Sequence, residues 1–374
     1  MSQPILYVYP EEWTGRRARE VQTLQTCLAL ADLGLDVTLV TGDAQAVRRH
    51  ATEFGRRELP GRLHLATVSR RLGPVRSVRL FASRFRTWLG GRAVSGLGYA
   101  IHLKAARVLG AFGIPYLYEA HEVFAESARS PRHGRRLERA ERLALEHAVL
   151  RVATSQALAA ALNRRYFPDR PLPFVVIPNA GDPPLAQPLL DPAGPLVYAG
   201  SLADWKGLPL ALEAAARLGV PVRVVGGDRA QWERLAAALS PGARRGATWL
   251  PRRPVAELDR VLAGCRAGLI PTRPDSGSGR YSCPLKLFDY ARCGLPVAVT
   301  DLPSLDALDP GPWCVRVGAP TMDAWVEGLR RLPADGWEVL RWAASHTWHE
   351  RAMQLRAALT ALSRGAPHRA RRSL

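Results

Sequence analysis

The chain has 374 residues, 47% of them hydrophobic and 23% charged, and carries a formal net charge of +19. Length and composition predict two globular domains of ordinary size; no run approaches 18 apolar residues, and the opening MSQPILYVYPEEW lacks the basic flank of a secretion signal, so neither a membrane span nor a leader is expected. The cysteines Cys27, Cys265, Cys283, Cys293 and Cys314 form no CxxC pair, which argues against a zinc site or disulfide framework and fits a reducing cytoplasm.

In chain order, ILYVYP reads as a strand and residues 16–33 as a helix, with Val21, Leu24, Cys27, Leu28 and Ala31 on one face. Gly15 precedes that helix and Thr14 is a fair cap. Arg16 and Arg17 in its first turn oppose the helix dipole unless an anion or carboxylate lies near. DVTLVTG and LHLATV are further strands. From Arg48 to Arg107 there are 14 Lys and Arg against two acidic residues. Within that stretch GPVRSVRLFASRFRTWLGG can form a helix with Val75, Val78, Phe81 or Ala82, Phe85, Trp88 and Leu89 in an apolar stripe. Such a helix suits an anionic membrane surface or a phosphorylated acceptor, or it simply faces a core. IPYLYEA ends in His121, flanked by Glu119 and Glu122. A histidine at the carboxyl end of a strand either bonds a hydroxyl or phosphate in a cleft or is a satisfied structural residue. LRVATS and FVVIPN follow, the latter ending near Asn179 and Asp182, where the asparagine can also form a turn.

The proline-dense DPPLAQPLLDPAGP reads as a linker. Alternation then resumes: PLVYAG, a helix from Lys206, VRVVGG, a helix from Arg229, ATWLP, a helix from Val255, AGLIPT, a helix from Pro284, PVAVTD and CVRVG. Near-continuous apolar strands alternating with helices imply parallel sheets covered on both faces, hence an α/β protein of two Rossmann-like, doubly wound domains facing a central cleft. The basic tail RGAPHRARRSL is expected to be disordered.

Two segments favour an anion. In SCPLKLFDYARCG, Ser282 is a plausible cap, Pro284 fits the first turn and Gly294 ends the helix. The amides of Leu285, Lys286 and Leu287 then point out of a positive dipole end. In YAGSLADWKG, the turn Ala199, Gly200, Ser201 lets backbone approach a ligand, and Lys206 follows; the spacing is not that of a Walker loop. Each segment alone reads equally as an ordinary capped helix or a tight turn. Only three of the 52 basic residues are lysines, Lys104, Lys206 and Lys286, and two of them sit in these segments. Such skew suggests a GC-rich genome as the ordinary cause of most of the arginine excess.

Taken together, YEAHE, VIPNAGD, AGSLADWKG and SCPLKLFDYARCGLPVAVTDLPS, followed by a terminal HTWHERAMQL, resemble the retaining nucleotide-sugar glycosyltransferases of GT-B architecture. That family includes bacterial polysaccharide and glycolipid mannosyl-, glucosyl- and N-acetylglucosaminyltransferases. The resemblance covers nearly the whole chain. It implies a domain over residues 1–182, a linker over 183–195, a nucleotide-sugar domain over 196–345, and a terminal helix from 346 to 374 that crosses back, with its tail.

For the site, the resemblance implies that Lys206 holds the donor diphosphate, cradled by the amides at 285–287, and that Asp289 bonds the ribose. His121 reaches the sugar near its 6-hydroxyl, and Gly15 and Arg16 approach the diphosphate from the first domain. Asn179 supports the hinge. Gly200, Ser201, Arg280, Tyr281, Ser282 and Pro284 complete the donor site. Two departures stand out. Tyr281 replaces a glutamate that normally contacts the sugar, and Ser201 replaces an arginine, a cation that Arg280, Arg273 or Arg16 would have to supply.

The activity implied is retaining transfer of a hexose from a nucleotide diphosphosugar, used as co-substrate with no cofactor and no metal, to a glycan, lipid-linked or small-molecule acceptor. The leaving phosphate would deprotonate the acceptor. Cell-envelope or polysaccharide synthesis in the cytoplasm, peripheral on the inner face of the membrane, is the matching setting. A nucleotide-sugar epimerase on the same architecture is the alternative. Nucleic-acid binding fits poorly, because the arginines are dispersed and no RNA-binding motif accompanies them.

Overall fold

The structure is a computed structural model that describes residues 3–90, 96–275 and 277–365; the basic tail beyond Gly365 lies outside them. In the first half, β1 is Ile5–Tyr9, α1 Ala18–Asp32, β2 Val37–Thr41, α2 Ala44–Glu53 and β3 Leu63–Thr67. An antiparallel hairpin of β4 (Arg71–Leu72) and β5 (Val75–Arg76) precedes α3 (Val78–Leu89). Then come β6 (Leu97–Ala100), α4 (Leu103–Ala111), β7 (Tyr116–Ala120) and α5 (Pro131–His147). The domain closes with β8 (Leu150–Ala153), α6 (Gln156–Tyr166) and β9 (Val175–Val176).

These strands form one parallel sheet in the order β3-β2-β1-β6-β7-β8-β9. The strand β6 is absent from the sequence expectations. Its LGYA carries a glycine, which weakens the strand signal, yet a β-carbon at Gly98 would come within 2.8 Å of Leu109 on α4. The glycine lets that helix lie close to the sheet. The apolar stripe of α3 faces inward: Phe81 and Phe85 are fully buried in the first-domain core, while Val75 belongs to the exposed hairpin rather than to the helix. The middle of the stripe therefore serves the core.

In the second half, β10 is Leu196–Ala199, α7 Leu208–Arg217, β11 Val222–Val225, α8 Arg229–Ala237, α9 Pro241–Gly246 and β12 Ala247–Leu250. They are followed by α10 (Leu258–Leu262), β13 (Ala267–Ile270), α11 (Gly277–Arg280) and α12 (Leu285–Arg292). The last elements are β14 (Val297–Thr300), β15 (Cys314–Val317), α13 (Met322–Arg330), α14 (Trp337–Ala344) and α15 (Trp348–Gly365). The sheet order is β12-β11-β10-β13-β14-β15, all parallel. In both sheets the order reverses beside the first strand, and such switch points are where ligands bind at the carboxyl ends of strands.

Two connections differ from a simple tether. The proline-rich segment is strapped to the second domain, Leu185 and Leu189 donating to the carbonyls of Arg292 and Cys293 at 2.9 Å each. The chain returns through a parallel bridge of Gly181 with Thr347, and Trp348, Ala352 and Leu355 of α15 enter the first-domain core. Among the described residues, no helix is long and apolar enough to cross a membrane.

Candidate functional site

The start of α12 differs from the expected cap. Pro284, not Ser282, is the residue before the helix, and proline offers no side-chain acceptor. Ser282 instead donates its N–H to Gly279 (3.1 Å) and accepts from Ser304 Oγ (2.6 Å). The Leu287 amide donates to Pro284 at 3.1 Å, so of the three amides expected to be free, those of Leu285 and Lys286 remain without a partner among the described residues.

Both lysines converge on this point. Lys286 Nζ lies 3.5 Å from the ring centroid of Tyr198 on β10, and Lys206 Nζ 3.6 Å from that of Trp205. Neither makes an ion pair among the described residues. Burial pushes Lys206 down to about 8. Burial, and then the charge of Lys206, hold Lys286 well below its ordinary value against the weaker pull of Asp289. Two buried amines whose charged forms lack a counter-ion, with aromatic faces and bare amides around them, make a site that gains from a polyanion.

Lys286 also covers Gly200: a β-carbon there would be 2.6 Å from its Nζ. Ser201 is exposed and only its carbonyl is engaged, by Tyr198 Oη at 2.5 Å. Of the other cations considered, Arg273 bonds Asp275 at 2.6 Å, Arg280 lies 3.9 Å from Glu126, and Arg16 is exposed. Lys286 is the cation that the fold brings beside the strand glycine. A cavity of about 1010 Å³, lined in part by Ala203, Asp204, Gly207, Thr272 and Arg273, flanks the Lys206 turn. Asp289, one turn after Lys286, is pushed up to about 7 by burial first and then by Asp182, with Arg292 and Lys286 opposing.

Across the cleft, the Gly15 loop is organised by Glu20. This fully buried carboxylate accepts the amides of Thr14 (2.9 Å), Arg16 (2.9 Å) and Arg17 (3.1 Å), and Thr14 Oγ1 at 2.9 Å. The carboxylate demanded by arginines at a helix start is therefore internal, and the Arg16 amide is directed to it rather than to a ligand. Gly15, at φ 67°, accepts Arg252 Nη2 from the second domain at 2.6 Å.

His121 follows β7 and is held by two groups, Glu119 and Gln22, the second of which sequence reasoning did not bring to it. Its Nε2 lies 2.9 Å from Glu119 Oε1 and 2.8 Å from Gln22 Nε2, and Gln22 donates to the same Glu119 oxygen at 2.6 Å. Tyr99 Oη and Arg351 Nη2 also donate to Glu119. Burial would raise that carboxyl, but Arg351, His121 and Tyr99 overcome it and hold it at about 2.

At the seam, Asn179 Nδ2 donates to the Cys283 carbonyl at 2.7 Å. Tyr281, although part of the second domain, is 7% exposed and packs into the first-domain core. The residues missed from the sequence, Glu20, Gln22, Tyr99, Arg252 and Arg351, have two readable signals among them. Glu20 stands at the third position of α1, where a capping box places a glutamate. Arg351 shares a helical face with Trp348, Ala352 and Leu355, and a charge in an apolar stripe demands a buried partner.

Residues 19–180 match the family model described as a glycosyl transferase 4-like domain, and residues 194–335 match that described as glycosyl transferases group 1. No curated protein matches the sequence. Among solved structures, the fold is similar to sucrose-phosphate synthase from Thermosynechococcus elongatus, with TM-score 0.77, 16% identity and coverage of 97% of this chain and 100% of that one. HepE of Anabaena, solved in complex with UDP, gives TM-score 0.67 and 16% identity over 96% and 100% of the two chains. A putative UDP-N-acetylglucosamine 2-epimerase from Listeria monocytogenes gives 0.58 and 11% over 96% of each.

Proposed function

Since the chain belongs to the GT-B glycosyltransferases built from a glycosyl transferase 4-like domain and a group 1 domain, we propose that it transfers a hexose from a nucleotide diphosphosugar, with retention and without a metal, to a glycan, lipid-linked or small-molecule acceptor. The observation that carries this reading is the pair Lys206 and Lys286, without an ion pair among the described residues, at the uncapped start of α12 beside Gly200. A diphosphate supplies the charge those groups lack.

As the bond from the anomeric carbon to the diphosphate breaks, negative charge grows on the leaving group. Two preorganised ammonium groups and two helix amides act on that charge more strongly than on the ground state. His121 bonds a sugar hydroxyl, and Asp289 a ribose hydroxyl. The acceptor's proton passes to a leaving phosphate oxygen while its oxygen bonds the anomeric carbon on the same face. One feature supports retention without a covalent intermediate: Glu119, the carboxylate beside His121, is fully buried and engaged on both oxygens.

The experiment is a thermal-shift screen against UDP-, GDP-, ADP- and dTDP-sugars, followed by measurement of nucleoside diphosphate release with acceptor panels. One donor should raise the melting temperature and release its nucleotide only when an acceptor is present. Absence of any donor-dependent shift sinks the reading. Conversion of the donor without net nucleotide release would make the protein an epimerase.

A further inference from the structure

We infer that Arg351, on the terminal helix α15, is a positioning residue for His121: acting through Glu119, it fixes the imidazole with Nε2–H toward the carboxylate and Nδ1 as an acceptor for substrate. This rests on the proposed role of His121 at the donor sugar.

The geometry is fully engaged. Arg351 is 3% exposed and uses every arm of its guanidinium: Nη2 to Glu119 Oε1, Nε to the Pro178 carbonyl at 2.8 Å, and Nη1 to Thr26 Oγ1 at 3.1 Å. A planar fork with three fixed acceptors has no rotational freedom left. Glu119 is thereby held in one orientation, with Tyr99 on its other oxygen. His121 Nε2 meets Glu119 Oε1 at 2.9 Å and Gln22 Nε2 at 2.8 Å; the Gln22 amide already donates to that Glu119 oxygen, and the ionised carboxylate, which would repel a lone pair, favours the proton on Nε2. Among the described residues no protein group bonds Nδ1.

Arg351 does more than fill space. Burial alone would protonate Glu119, and the guanidinium is the largest influence opposing it. Without that charge Glu119 would take up a proton, and the hydrogen bond that selects the His121 tautomer would weaken. The groups around the cluster are Tyr7 from β1, Tyr99 from β6, Gln22 and Thr26 from α1, Arg351 from α15 and Cys283 from the second domain. Tyr7, Tyr99 and Cys283 are all pushed above their ordinary values by burial, Cys283 to about 12. Arg351 reaches them from 232 residues away in sequence, and its Nε bond to Pro178 anchors the same guanidinium beside the segment where the chain crosses between domains. The tautomer therefore depends on the terminal helix being seated.

The test uses the full chain with ¹⁵N-labelled histidine and the variants Arg351→Met, Arg351→Lys and Glu119→Gln. In long-range ¹⁵N–¹H spectra, with His121 assigned by His121→Gln, the parent should show the Nε2–H tautomer. Arg351→Met and Glu119→Gln should lose its uniqueness, and Arg351→Lys should retain part of it. In nucleotide-release assays with the sugar donor found by the screen, Arg351→Met should lower kcat roughly 100-fold, with donor KM and nucleoside diphosphate Kd within about twofold of the parent. That variant should also gain an acid limb that the parent lacks, losing activity as pH falls and Glu119 protonates. An Nδ1–H parent, an unchanged tautomer and pH profile in Arg351→Met, or equal losses of kcat and nucleotide affinity would overturn the inference. If Arg351→Met does not fold, Arg351→Lys and Glu119→Gln decide the question. A parent that turns over no nucleotide sugar sinks the glycosyl-transfer reading instead, and the tautomer spectra still judge Arg351.

Discussion

A β-carbon on Gly200 would lie 2.6 Å from the ammonium of Lys286, so the strand glycine and the helix lysine are in direct contact across the switch point of the second sheet. Gly200→Ala should therefore displace Lys286 and abolish the melting-temperature rise given by nucleoside diphosphates. Because φ at Gly200 is 153°, the variant should also lose about 1–3 kcal/mol of stability without ligand. Calorimetric titration and thermal unfolding measure the two effects separately. Full retention of nucleotide affinity would show that Lys286 does not serve the diphosphate.

Removing either ammonium tests the same site from the other side. Lys206→Ala should lower turnover by about 100-fold or more, as for loss of one preorganised group acting on developing charge. Lys286→Ala should lower it comparably. Steady-state kinetics with the matched donor decide this, and near-parental kcat in either variant removes that lysine from the mechanism.

Nucleotide binding should weaken above neutrality. In the free protein burial holds Lys206 at about 8, and the diphosphate binds the ammonium form. The Lys206 contribution is therefore present below that value and lost as pH rises through it, with protons taken up on binding, and Lys286, also lowered by burial, adds to the uptake. Isothermal titration in buffers of different ionisation enthalpy, from about pH 6.5 to about pH 9, should show this uptake. Proton release, or a pH-independent Kd, contradicts an ammonium ligand.

Tyr281 is expected to act on domain docking. It is 7% exposed within the first-domain core, so Tyr281→Ala leaves a cavity at the seam and should cost about 3 kcal/mol, whereas Tyr281→Phe should stay near the parent. Chemical denaturation checks the cost. If Tyr281→Ala keeps its stability yet changes donor preference, the side chain reads the sugar instead.

Much of the fold was readable because its signals are local. Apolar strands alternating with amphipathic helices announce two parallel sheets, and SCPLKLFDYARCG carries its own stop in Gly294. β6 escaped because Gly98, required for contact with Leu109, erases the strand pattern at that position. The helix cap was misplaced by two residues because Ser282 is a better capping type than Pro284, yet its carbonyl is needed by Ser304 and its amide by Gly279.

The sequence alone determined the architecture, the order of the motifs and the two lysines, since capping, periodicity and turn chemistry act over a few residues. Tertiary structure decided which charges meet. It placed Lys286 over Gly200, turned Tyr281 into the first-domain core and brought Arg351 to Glu119 across 232 residues. Such pairings depend on strand order and on the return of the last helix, and no local preference encodes the partner of a buried charge.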